Sequence, residues 1–174
     1  MFGLTSFISN RSIVSAGNNY LRISLRASYS IASYLGKWFQ LQKVVYPPPP
    51  NQITTQNRLF PTYIERADEI DPLILFKDPT LVNFTYATPQ CNEVTKALFD
   101  ILGDKSKYPH KFSINLINVW ADTAGGKLLM HKYVVGSKIP AILLLQAQLP
   151  RDKFVPTFPF DPEELEAWIR TIKQ

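Results

Sequence analysis

Residues 133–145 read YVVGSKIPAILLL, and the fold turns on how this stretch is read. AILLL is a continuous apolar run of the kind found in strands buried on both faces. Ile139-Pro140 stands directly before it. A proline has no N–H and a fixed φ, so it is excluded from a central strand but can turn the chain sharply just ahead of one. Upstream, Asp122 can cap a short helix running through GKLLMHKYV. The stretch therefore reads as helix, turn, proline hinge, buried strand.

Moving outward, LVNFTYA (81–87) alternates as a strand, with Leu81, Asn83 and Thr85 on one face and Val82, Phe84 and Tyr86 on the other. CNEVTKALFDIL (91–102) places Val94, Leu98 and Ile101 on one helical face, and Gly103 follows where a C′ glycine belongs. KFSINLINVW (111–120) alternates as a second strand. RDKFVPTF (151–158) is an edge strand, because Pro156 excludes a central one. Asp161-Pro162-Glu163-Glu164 then starts a helix with an N-cap aspartate, proline at N1 and glutamate at N3, and Leu165, Trp168, Ile169 and Ile172 form its buried stripe. The order is β-α-β-α-β-β-α. Its first two strands, joined through a helix, should be parallel.

That order, together with Ile139-Pro140-AILLL, resembles the thioredoxin fold over roughly residues 70–173. The resemblance implies an α/β domain over 61–174 with a mixed four- to five-stranded sheet flanked by helices. It also implies a cis Pro140, which lets the backbone of Ile139 pair with an extended substrate. On the same resemblance FTYATPQCNEV (84–94) is the thiol-bearing turn, and Cys91 is the only cysteine in the chain. Two registers fit. In the first, favoured because it needs no gap and accounts for Pro89, Cys91 takes the place of the nucleophilic cysteine and the resolving position is Val94. In the second, Thr88-Pro89-Gln90-Cys91 is a Cys-x-x-Cys motif whose first cysteine is replaced. Thr88 is then a plain N-cap and Cys91 the less exposed thiol one turn in.

The chemistry differs between the registers. A thiol at a helix start is activated by the unsatisfied N–H groups, and Lys96 and Lys138 offer further positive charge. Such a thiolate could attack a glutathione mixed disulfide, but with no resolving cysteine it would need external glutathione for release. Glu93 opposes that activation, and LLLQAQLPRDK carries no glycine pair of the kind glutaredoxins use for glutathione. A dithiol oxidoreductase is excluded by the cysteine count. The expectation is a protein-binding, structural or assembly module with Pro89, Ile139 and Pro140 in the partner surface. The alternative is a monothiol enzyme using Cys91, with glutathione its one candidate cofactor. Degenerate thioredoxin-like subunits of large mitochondrial assemblies are the precedent by resemblance.

Charge and composition set the location. The net charge is +5, but the first acid is Glu65, and residues 1–64 carry six basic side chains against none. The core is close to neutral, so no nucleic-acid partner is expected for it. Residues 1–40, rich in arginine and serine and free of carboxylates, have the make-up of a mitochondrial transit peptide with its flanking segment, so the matrix and a mitochondrial protein partner or complex are expected. Residues 41–60, with Pro47 to Pro50, read as a stiff proline-rich linker. No apolar run is long enough for a membrane-spanning helix. With one cysteine and two histidines, no metal site is expected.

Overall fold

The computed structural model describes residues 44–173; the transit-peptide reading and the first residues of the linker reading lie outside them. Five strands form one sheet in the order β1-β3-β2-β4-β5. They are β1 (Arg58–Ile64), β2 (Thr80–Thr85), β3 (Asn115–Trp120), β4 (Ala141–Gln146) and β5 (Leu149–Phe154). β1, β3 and β2 are parallel, β4 runs antiparallel to β2, and β5 antiparallel to β4. Among the described residues three α-helices accompany it, α1 (Pro89–Gly103), α2 (Ala124–Lys132) and α3 (Pro162–Arg170), with a short 3-10 turn at Pro50–Gln52 and a longer 3-10 helix at Ala67–Ile74.

The alternation in β2 sorts the core into two layers. Leu81 joins Leu116, Ile142 and Leu144 under α1 and α3, where Val94, Leu98, Leu102, Leu165 and Ile169 cover them. Val82 and Phe84 join Ile117, Val119, Leu143 and Leu145 under α2 and the 3-10 helix, covered by Leu129, Ile70 and Ile74. All six residues of β2 are buried. β4, AILLLQ, is buried through Leu145, while β5 at the edge is exposed along most of its length and carries Pro150.

Local capping follows the sequence in α3, where Asp161 Oδ1 accepts from the N–H of Glu163 at 2.9 Å and Pro162 sits at N1. Trp168 is only half-buried, because its indole N–H reaches out to Asp152 Oδ2 on β5 at 2.7 Å. Two capping expectations are corrected. α2 is capped by Thr123, not Asp122: its Oγ1 accepts from the N–H of Gly126 at 3.0 Å. Gly103 is not a left-handed C′ residue but the last residue of α1. The carbonyls at that helix end are instead taken by the segment before β1. Thr54 N–H donates to Gly103 C=O at 2.9 Å. Thr55 Oγ1 and Asn57 Nδ2 donate to Leu102 C=O at 2.5 and 2.8 Å. Asn57 Oδ1 also accepts from Ile114 N–H at 2.8 Å, tying the same segment to the approach to β3. Residues 54–57, read from sequence as linker, are thus built into the domain, and the first strand begins at Arg58.

Gly125 and Gly126 let α2 start hard against the sheet end. A Cβ on Gly126 would lie 1.8 Å from the carbonyl oxygen of Trp120, and one on Gly125 2.3 Å from that of Glu65. Both obstacles are backbone atoms, which cannot move aside as a flexible side chain would. Gly126→Ala should therefore cost roughly 1–3 kcal/mol, as overpacking does, read by urea unfolding; an unchanged midpoint would show that α2 can shift to accommodate the methyl.

Candidate functional site

The chain leaves β2 at Thr85 and enters α1 through Thr88, whose φ of −113° and ψ of 154° are those of an N-cap. Its Oγ1 accepts from the N–H of Cys91 at 3.4 Å, and its carbonyl accepts from the N–H of Asn92 at 2.9 Å. Pro89 is the first helical residue, where its missing N–H costs nothing. Pro89 and Gln90 are exposed, but Cys91 is only 1% exposed. A residue three past the cap of a helix lying on a sheet points inward, and Cys91 does. Thr88 thus holds the cap and Cys91 the buried position one turn in, the arrangement expected of the second register, and Cys91 is not the exposed thiol expected of the first.

Beneath Cys91 the sheet is polar. Thr95 Oγ1 donates to Cys91 C=O at 2.9 Å. Asn83 Nδ2 donates to Thr95 Oγ1 at 3.0 Å and to Asn118 Oδ1 at 2.9 Å. Asn83, Thr95 and Asn118 are all essentially inaccessible. Asn83 Oδ1 and Asn118 Nδ2 have no partner among the described residues, and each such buried group costs about 1–3 kcal/mol. This row ties the first turn of α1 to the two central parallel strands.

Ile139-Pro140 lies at the same end of the sheet. Ala141 pairs with Phe84, so the dipeptide runs on beside Thr85 and Tyr86, the residues that lead into the Thr88 cap. The Ile139–Pro140 peptide is cis; Pro140 is buried and Ile139 half-buried. The backbone N–H and C=O of Ile139 make no hydrogen bond among the described residues. Cys91, Pro89, Ile139 and Pro140 are therefore all gathered at the carboxyl end of the parallel strands, with Pro89 outside and Cys91 and Pro140 inside.

Two features of this end were not read from the sequence. One is an aromatic stack in which Tyr63, late in β1, lies 4.4 Å from Trp120, the last residue of β3, with Tyr46 edge-on to Tyr63 at 6.0 Å. Tyr63 donates its hydroxyl proton to the carbonyl of Val45, and burial, with Tyr46 adding to it, pushes its phenol up to about 12. The other is Val134. It follows α2 as the C′ residue of a Schellman ending, with its N–H on His131 C=O at 3.2 Å and the N–H of Val135 on Met130 C=O at 2.9 Å. Its φ is +52°, a conformation that β-branched residues avoid, and its side chain is 81% exposed. VVG does place a glycine here, but one of the two valines takes the left-handed position, a shift of register invisible to periodicity.

No family model matches the sequence, and no curated protein is similar to it. Among solved structures, thioredoxin O2 from Arabidopsis thaliana superposes with a TM-score of 0.52 at 15% identity, over 69% of this chain and 98% of that one. A mutant thioredoxin from Halobacterium salinarum NRC-1 gives 0.51 at 15% identity, over 69% and 96%. A redox protein from Chlamydomonas reinhardtii gives 0.54 at 15% identity, over 68% of this chain and 36% of that one.

The fold is thioredoxin-like. Its single cysteine makes this domain a non-dithiol member of that architecture. If Thr88 holds the outer position of a lapsed Cys-x-x-Cys turn, Thr88→Cys should pair with Cys91 under mild oxidation, detected as loss of both free thiols to alkylation after denaturation; two thiols that stay free would count against the register. The backbone at Val134 yields a second expectation. Val134→Gly should stabilise the thioredoxin-like domain by up to about 1 kcal/mol by relieving the left-handed conformation, measured by urea unfolding. A loss of stability would mean that the valine packs against the domain despite its exposure.

Proposed function

We propose that this protein is a non-catalytic, protein-docking module of mitochondria, acting as a structural or assembly component. The observation that carries the reading is the burial of Cys91, at 1% exposure behind the Thr88 cap. Thiol exchange needs in-line access of a thiolate to a disulfide sulfur, and the outer position that would offer it holds a threonine. The surface around it is suited to contact. Pro89 is exposed, the Ile139 backbone groups are unpaired among the described residues, and Val134 projects an apolar side chain. An extended segment of a partner could pair with Ile139 as an added strand pairs with a sheet edge. The mitochondrial matrix assignment rests on the basic, serine-rich, acid-free residues 1–40.

The monothiol, glutathione-linked alternative requires that Cys91 become accessible. The two readings separate on the native, full-length protein. Cys91 should resist a small alkylating reagent until denaturant is added, and a glutathionylated peptide should not be turned over above background. Turnover that disappears in Cys91→Ser would overturn the docking assignment and restore the enzymatic one.

A further inference from the structure

The opposite end of the sheet holds a second site. The segment that caps α1, residues 54–56, and the loop between α1 and β3 border a hollow of about 310 Å³, to which the loop contributes Lys105, Tyr108, His110, Lys111 and Phe112. That volume is at the small end of ligand pockets. It lies at the amino ends of the parallel strands, away from Cys91, and owes nothing to the docking reading.

Its chemistry is one-sided. Lys105 and Lys111 form no ion pair among the described residues, and no carboxylate lines the space. The neighbouring acid, Asp104, is held by the backbone N–H and the hydroxyl of Ser106, both at 2.8 Å. Asp78 is near enough to bear on the Tyr108 phenol, but it does not line the hollow. The side-chain amide of Gln56 is free among the described residues. The wall is aromatic and rigid. His110 stacks on Phe112 with ring centres 4.5 Å apart and planes 24° from parallel, and Tyr108 meets His110 edge-on at 5.7 Å. Two hydrogen bonds lock this wall. Tyr108 donates its hydroxyl to Phe112 C=O at 2.6 Å, and His110 Nε2 lies 2.7 Å from Ile169 C=O. A carbonyl only accepts, so Nε2 carries the proton. The floor is equally fixed, because the Thr54 and Thr55 hydroxyls are committed to the α1 carbonyls.

We propose that this hollow binds a small anion bearing a planar ring, of the chemical class of nucleoside monophosphates, with the ring against the His110–Phe112 wall and the phosphate between Lys105 and Lys111. An aromatic planar wall beside two unpaired ammonium groups and an amide rewards a ligand that is flat at one end and anionic at the other. A bare anion would leave the wall unused. A neutral ring would leave the lysines unused.

The test is calorimetric titration of the full-length protein with adenosine monophosphate at low salt, with adenosine and inorganic phosphate as separate arms. Adenosine monophosphate should saturate a single site with a dissociation constant of about 1 mM or tighter, weakening as salt is raised, and each separate arm should bind more weakly. The double variant Lys105→Glu/Lys111→Glu, with its melting curve checked, should weaken binding at least about tenfold, a loss of roughly 1.4 kcal/mol. Lys127→Glu, on the exposed face of α2, makes a charge change elsewhere and should leave it as it was. Failure to saturate, unchanged affinity in the double variant, or inorganic phosphate binding as tightly as adenosine monophosphate would each overturn the proposal.

Discussion

β2 has no solvent-facing side, and this constraint organises the rest of the domain. With all six residues buried, its backbone must be paired on both edges and its side chains covered on both faces. The parallel β3 and the antiparallel β4 meet the first demand. The second calls for helices on both sides, which the chain supplies with α1 and α3 on one face and α2 with the 3-10 helix on the other. A strand so enclosed can lead out only at its ends. The two candidate sites lie at the two ends of the parallel strands it belongs to, one around the Thr88 cap and one around the hollow at the foot of α1.

The state of Cys91 follows from the same constraint. α1 has to lie down on β2 and β3 within a few residues of leaving Thr85, so its third residue faces the sheet. The position that remains outside is the cap. A threonine there satisfies the helix terminus through its hydroxyl, which a thiol does poorly, and it brings no redox chemistry. The cap and the inner position therefore place different demands on the residues that fill them. The inner position is a small buried site in a packed layer, where cysteine behaves as a modest hydrophobe. The amide row of Asn83 and Asn118 below it is the less economical feature, since two of its polar atoms are unpaired among the described residues where apolar side chains would pack without that cost.

Much of the architecture was legible because its signals are local. The Asp161-Pro162 start, the alternation in LVNFTYA and the AILLL run each specify an element within a few residues, and each stands where it was read. β1 was missed because RLFPTYI carries Pro61 and follows a polar, proline-rich stretch. Pro61 is tolerable only because β1 is an edge strand, and the ladder to β3 shifts register between Leu59 and Tyr63, on either side of the proline. Knowing that requires the sheet order, which is not a local property. The burial of Cys91 behind a Thr88 cap is a different case. Thr88-Pro89 is the same cap-then-proline signature as Asp161-Pro162. It lay in plain view, outweighed by an ungapped match.

Val134 shows where local consistency breaks for a reason that packing does not supply. The end of α2 has both hydrogen bonds of a Schellman motif, so its backbone is well specified, yet the left-handed position holds a β-branched side chain that touches little of the domain. Glycine at that position would relieve the strain, and one stands two residues later at Gly136, itself with φ of +92°. With most of its surface exposed, the valine leaves the two Schellman hydrogen bonds to specify this turn. It stands in the loop between α2 and β4, the segment that delivers Ile139 and Pro140 to the end of β2.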